Sequence, residues 1–480
     1  MPSHDIVSLY TCSDALGLAD AVKRGQVTPQ ELTETAIGLI ETLDPALNAV
    51  VIRGFERARA FAQPGRDGVF AGVPYLLKNI ASDCVGLPLT AGLSCLRDRV
   101  CQTESELVRR LKAAGLVILG RTNVPENGWC IATEDSCHGP TRNPWDPTVT
   151  PGGSSGGAAA AVAARMVPMA EATDGAGSIR VPASCCGLVG LKPSRGRITY
   201  GPAVVDVWMG SIAFFALTRT VRDTAALLDA TAGPLTGDPY TPPCPQDGWL
   251  SALGACPPGL RIGVVRSSPW GPPIAGDVGA AVDATALLLG DLGHTVEEHR
   301  VRFDGEAAWH HYIRMNAVQA ALDFDTLPGL AGRPVALAEL NPVNRALVER
   351  GRATSGTEHG ASLNALRQAN RAVQLELEPY DVVLTPTLTQ PPRPVGYWTM
   401  QEPDLDRYHA RWADAAFMMP FNLSGLPAMS LPAAETPAGV PIGVQLVGRY
   451  GDDGTVLQLA AQIEAARPWA HRRPKLGATA

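Results

Sequence analysis

The residues of this sequence best placed to do chemistry lie in two clusters of glycine and serine. The first is Gly152-Gly153-Ser154-Ser155-Gly156. The second is Gly175-Ala176-Gly177-Ser178, with an alanine-rich run between them. Small residues let several backbone N–H groups turn toward one point. Beside a hydroxyl, such a nest makes an oxyanion hole. An exposed serine with an oxyanion hole is a candidate nucleophile for acyl transfer, and it needs a base. Histidine is the usual base, yet none lies in either cluster, and His138 is the nearest. A lysine at a strand end serves instead if burial keeps it neutral. Lys78, which closes the run Val73-Pro74-Tyr75-Leu76-Leu77-Lys78, stands at such an end.

Other chemistry competes for the first cluster. A phosphate loop needs a lysine after its glycines, and none follows here. Gly152-Gly153-Ser154-Ser155-Gly156 fits the G-x-S-x-G elbow of α/β-hydrolases, but that motif follows an apolar strand. What precedes it here is RNPWDPTVTP, whose prolines do not suit a central strand. The elbow reading makes Ser154 the nucleophile and needs a downstream histidine such as His409. The plain alternative is a flexible loop of small residues.

The elements that would position these groups alternate between helix and strand. Thr28, Pro29 and Glu31 form a capping box at the start of a helix, with Leu32, Ala36, Leu39 and Ile40 as its apolar stripe. A strand ending at Lys78 follows, then a helix in ESELVRRLKAAG and a strand in LVILGRTN. TRTVRDTAALLDATAG reads as a helix with a threonine cap and a glycine stop. LRIGVVRS, YDVVLTPTL, PAMSLPA and IGVQLVGR read as strands; AGDVGAAVDATALLLGDLG and DDGTVLQLAAQIEAA read as helices. Residues 304–380 read as mostly helical, and the proline-rich patches 233–258 and 386–396 as loops. This pattern predicts an α/β fold: one domain over residues 1–480 with a mixed sheet flanked by helices, embellished by the helical region at 304–380.

Composition narrows the function. The chain has 480 residues, 45% of them hydrophobic and 18% charged, an ordinary globular balance. A net charge of −7 argues against nucleic-acid and anionic-membrane partners. No run of about 20 apolar residues is present, so no membrane span is expected. The start, MPSHDIVSLYTCSDALG, is not patterned as a secretory signal. The ten scattered cysteines form no CxxC pair and read as thiols of a cytoplasmic protein. The nine histidines show no metal-ligand spacing, and the neighbours His310 and His311 suit a helix end better than one metal, so no metal is expected.

Lys78 in VPYLLKN, Ser154 in PGGSSGGAAAAVAA and Ser178 in TDGAGSIRVPA together resemble the Ser-cisSer-Lys triad of the amidase signature family, including the 24-residue spacing of the serines. RTNVPENGW, GLVGLKPSRGRITYGP, NLSGLPAMSLP and PIGVQLVGR follow in the family's order, so the resemblance covers about residues 20–468. It implies that Ser178 attacks an amide carbonyl, that Ser154 sits beside a cis peptide bond and relays the proton, and that a neutral Lys78 is the ultimate base. The backbone N–H groups of Gly175, Ala176, Gly177 and Ser178 would hold the oxyanion, and water would release the acyl group without a cofactor. Gly128 and Trp129 fall in a segment resembling the family's substrate lining. The implied partners are a small amide substrate and at most a second copy of the chain.

The sequence also departs from the family pattern. Ala172 and Ala176 stand where glycines are common, and alanine at position 176 is strained if φ is positive there. Ser155 is expected to cap the helix behind it. Asp174 and Arg180 are expected to brace the loop as an ion pair, and Cys185 and Cys186 to be buried and inert. Trp208, Met209, Phe214, Phe215, Trp398 and Trp412 are candidates to line an apolar pocket, with core packing the default for each. NRALVERGRATSG and YDVVLTPTLTQPP lean toward relatives that cut secondary amides, such as aryl acylamidases and hydrolases of 6-aminohexanoate oligomers. The alternatives are the glutaminase subunit of a tRNA-dependent amidotransferase and a non-catalytic binding protein on the same fold.

Overall fold

The computed structural model describes residues 4–474 and 476. Eleven strands form one sheet: β1 (Val50–Arg53), β2 (Pro74–Lys78), β3 (Val117–Thr122), β4 (Met169–Asp174), β5 (Val189–Lys192), β6 (Ala213–Thr218), β7 (Arg261–Val265), β8 (Thr295–His299), β9 (Val382–Pro386), β10 (Ala428–Glu435) and β11 (Pro441–Gly448). Their order is β1-β3-β2-β4-β6-β5-β10-β11-β9-β7-β8. The sheet is mixed: β3-β2-β4 and β9-β7-β8 run parallel, and the strands between them pair antiparallel. The α/β architecture with helices on a mixed sheet is as the sequence predicts. Among the described residues, no helix is long and apolar enough to cross a membrane.

The capping box expected at Thr28 forms. Thr28 accepts from Glu31 N–H while Glu31 reaches back, capping the Pro29–Leu47 helix. Residues 304–380 supply three helices, Gly305–Ala331, Pro342–Ala353 and Gly356–Leu377. His310 and His311 lie in the second turn of the first of these rather than at a helix end.

The Gly156–Ala163 helix is buried along its whole length, because glycine and alanine leave no side chain to hold neighbours away. A Cβ on Gly157 would stand 2.4 Å from the Asn123 backbone nitrogen, so the close approach requires glycine there. Ser155 does not cap this helix through its side chain. Thr133 Oγ1 accepts the Gly156 N–H instead, at 3.1 Å, and Ser155 Oγ turns toward the Thr173 backbone on β4 at 3.4 Å. The hydroxyl thus ties the helix start to the sheet.

Candidate active site

β2 and β4 are parallel neighbours, so their carboxyl ends, Lys78 and Asp174, emerge on the same edge of the sheet. The Ser154 loop enters from the side, and the Ser178 turn leaves β4 directly. Ser154 follows an irregular proline-rich segment rather than a strand, and the Gly153–Ser154 peptide bond is cis. Lys78 is fully buried, with Nζ 2.8 Å from Ser154 Oγ and 2.8 Å from Thr173 Oγ1. Burial pulls its ammonium down to about 7, against the opposing pull of the Glu171 and Asp174 carboxylates. A lysine held there is neutral for part of the time at physiological pH and can take a proton from the hydroxyl beside it.

Glu171 is buried under the lysine. Its carboxylate accepts the Lys78 backbone N–H at 2.9 Å and the Ser82 hydroxyl. Burial raises its pKa, opposed by those two hydrogen bonds and by Arg121 and Lys78. Arg121 in turn donates to the carbonyls of Lys78 and Ser82, at 2.9 and 2.8 Å. The strand end that presents the amine is therefore fixed from two sides.

Asp174 organises the Ser178 turn. It accepts Gly177 N–H at 2.7 Å and Ile179 N–H at 3.2 Å, and it pairs with Arg180 Nε at 2.9 Å, both side chains being fully buried. Burial alone would lift the Asp174 pKa, but Arg180 and Asn422 overcome it and hold the carboxyl below its usual range. The expected brace is present, and Asn422 and Gln445 extend it as partners of Arg180. Of the four backbone N–H groups expected to hold the oxyanion, that of Gly177 is donated to Asp174. Among the described residues, the N–H groups of Ala176 and Ser178 have no protein partner. Ala176 is free of the strain expected of a positive φ, which falls on Gly177, at 114°.

Ser154 and Ser178 open onto one cavity of about 150 Å³, whose wall includes Gly128, Trp129, Gly175 and Ala176. Gly128 has φ 71°, and a Cβ there would stand 3.5 Å from Ser154 Oγ. Trp129 packs on Trp208, ring centroids 4.7 Å apart, and Trp309 and Trp412 continue the aromatic wall. Trp208 and Trp412 thus line the cavity, whereas Phe214, Phe215 and Trp398 are buried in the core. Cys185 and Cys186 are buried, and desolvation pushes both thiols up. His138 bonds Thr90 away from the cavity. His409 lines it, but Ser154 bonds Lys78 and not this imidazole, which removes the base that the elbow reading requires. Glu171, Thr173, Asn422 and Gln445 went unnoticed in the sequence. Thr173 and Glu171 lie on the strand that ends at Asp174, whereas Asn422 and Gln445 reach the site only through the fold.

Comparison with known proteins agrees with this arrangement. A family profile described as Amidase matches residues 31–457. The 6-aminohexanoate-cyclic-dimer hydrolase of Pseudomonas sp. (strain NK87) is 36% identical over 476 residues, covering 96% of each chain. A solved structure of 6-aminohexanoate cyclic dimer hydrolase superposes with a TM-score of 0.93 at 35% identity, covering 97% of this chain and 99% of that one. A bacterial aryl acylamidase of the amidase signature family superposes with a TM-score of 0.86 at 27% identity, covering 95% and 97%. The chain belongs to the amidase signature family, and it is an amidase.

Proposed function

We propose that the protein cleaves a carboxamide through an acyl-enzyme on Ser178. The observation that carries this reading is the placement of the Lys78 amine, buried and 2.8 Å from Ser154 Oγ, beneath a cavity that Ser178 shares. Neutral Lys78 takes the Ser154 proton as Ser154 takes that of Ser178, and Ser178 Oγ attacks the carbonyl carbon. The N–H groups of Ala176 and Ser178, with Gly175, receive the oxyanion; one such donor is worth ~3–4 kcal/mol of barrier. The proton returns through Ser154 to the leaving nitrogen as the C–N bond breaks. Water, deprotonated along the same relay, then releases the acid and frees Ser178.

The substrate we favour is an uncharged amide with hydrocarbon on either side. Four tryptophans and three isoleucines line the inner cavity beside the polar Asn127, Asn316 and Asp323, and among the described residues no lysine or arginine lines it. Glutamine, with its charged α-groups, would find no cationic partner there, which disfavours the glutaminase reading. An outer chamber of about 650 Å³ shares Trp309, Ile313 and His409 with the inner cavity, so a longer substrate has room to extend outward. The cyclic dimer named for the relatives is the first compound to try.

A fluorophosphonate probe with peptide mapping tests the mechanism. The expected result is a tag on Ser178 that is lost in Lys78→Ala, with Ser178→Ala lowering turnover by roughly 10³-fold or more while the fold persists. A tag on Ser154 would return the elbow reading, and a folded protein that takes no tag and cuts no amide would leave a binding protein.

A further inference from the structure

The turn from β4 to Ser178 carries its N–H groups on peptide units whose carbonyl ends are held. The Asp174 carbonyl accepts Asn422 Nδ2 at 2.8 Å, and the Gly177 carbonyl accepts the Val181 N–H at 2.7 Å. The Gly175 carbonyl accepts the Tyr312 hydroxyl at 2.5 Å. Of these three partners, Tyr312 alone comes from the Gly305–Ala331 helix. It is fully buried and does not line the cavity. Its ring meets Trp208 edge-on, centroids 6.1 Å apart, and stacks on Trp309 at 6.2 Å. Burial raises its pKa, so the hydroxyl keeps its proton and donates. A buried tyrosine needs a partner for its hydroxyl wherever it stands. What sets this one apart is the carbonyl it has. The Gly175–Ala176 peptide is trans, so its carbonyl and its N–H point in opposite directions. A carbonyl pinned toward Tyr312 turns the Ala176 N–H the other way. There the N–H has no protein partner among the described residues, and Gly175 and Ala176 line the cavity shared with Ser178.

We propose that Tyr312 is a positioning residue for the oxyanion hole: its hydroxyl fixes the Gly175–Ala176 peptide so that the Ala176 N–H is aimed at the developing oxyanion. This rests on the acyl-enzyme reading above, in which that N–H is a donor. Glycine on one side leaves the peptide free to rotate unless something holds it. Holding it in advance means that no reorganisation is needed when charge develops. A donor on the carbonyl also polarises the peptide and strengthens the N–H at its other end. Both effects grow with the charge on the bound oxygen. They therefore act on the chemical step more than on binding of the neutral substrate.

Labelling kinetics with a fluorophosphonate test the role. As Ser178 Oγ bonds to phosphorus and fluoride leaves, the phosphonyl oxygen gathers charge where the carbonyl oxygen of an amide would. Tyr312→Phe deletes the hydroxyl and keeps the ring against Trp208 and Trp309. The expected result is a fall in kinact of roughly tenfold or more with KI within about twofold, and an acidic limb of the labelling rate that stays where Lys78 sets it. A kinact within about twofold, or a loss that falls on KI, would mean that the ring only packs, and overturns the proposal. Should Tyr312→Phe not fold, 3-fluorotyrosine at position 312 keeps the ring and makes its hydroxyl a stronger donor. Then kinact is expected to rise at unchanged KI, and a flat or lower kinact overturns the proposal. The unaltered protein separates the two readings. No tag on its Ser178 overturns the acyl-enzyme itself, whereas a Ser178 tag indifferent to Tyr312→Phe overturns the positioning role alone.

Discussion

In the proposed reaction Lys78 works only when neutral. Its pKa is pulled to about 7 by burial, so kcat/KM rises as pH increases through about 7 and levels off above it. A flat profile from about pH 5 to 9 would contradict a lysine base. Glu171 sharpens this prediction. Its negative charge holds the lysine's pKa up, so Glu171→Gln moves the acidic limb toward lower pH. Gln keeps one acceptor for the Lys78 N–H, and a merely structural role for Glu171 would lower the rate without moving the limb. Ser154 and Ser178 stand out in the sequence because they sit in small-residue motifs, and Lys78 because it closes an apolar run; the resemblance to the amidase signature family is what joins the three. Glu171 was not readable, since an acidic residue in Met-Ala-Glu-Ala-Thr-Asp looks like any surface carboxylate until β2 is laid against β4.

At the scale of elements, the buried Gly156–Ala163 helix sets how closely the two serines approach the sheet. Gly157→Ala forces a methyl to 2.4 Å from the Asn123 backbone, where no side chain can yield, and overpacking of this kind typically costs ~1–3 kcal/mol or more. Thr133→Val removes the acceptor of the Gly156 N–H and is expected to cost about 1 kcal/mol, in the range of a lost helix cap. Thermal melts of the two variants check both, and a Thr133→Val melt within error of the unaltered protein would show that the cap is dispensable. The sequence placed this helix and the strand ending at Lys78 correctly, yet it gave the cap to Ser155. Local rules favour the hydroxyl that stands next to the helix, and only the fold brings Thr133 to it. β4 was overlooked for a related reason: Met169–Asp174 has one β-branched residue, Thr173, and its strand state comes from neighbours β2 and β6 rather than from propensity. The helices of 304–380 were legible because their caps and stripes are local.

Across the whole molecule, the site is held on buried charge. Lys78, Glu171 and Arg121 are buried around one serine, Asp174 and Arg180 around the other, and Arg197 and Asp453 form a further fully buried pair. The order of eleven strands that assembles these groups was beyond the sequence, because β5 meets β10 and β9 meets β7 only through long crossovers. Groups kept for chemistry burden stability, and Lys78 is the clearest case. Its pKa is lower in the folded chain than the 10.5 of an unfolded lysine, so between about 7 and 10.5 the unfolded state binds more protons. Stability therefore rises with pH across that window, and the cost of the buried amine is fully present below about 7. Lys78→Met removes this cost and leaves two hydroxyls short of a partner. The balance favours the variant by roughly 1–3 kcal/mol at pH 7 and below, and the advantage shrinks as pH approaches 10. Denaturant melts of both proteins at about pH 6.5, below the window, and at about pH 9.5, in its upper part, measure the difference. An inactive Lys78→Met that is more stable at the lower pH, by more than at the higher, ties the catalytic pKa to folding. Equal stabilities at both would mean that the lysine is charged in the folded state, and the base of the proposed reaction would have to be sought elsewhere.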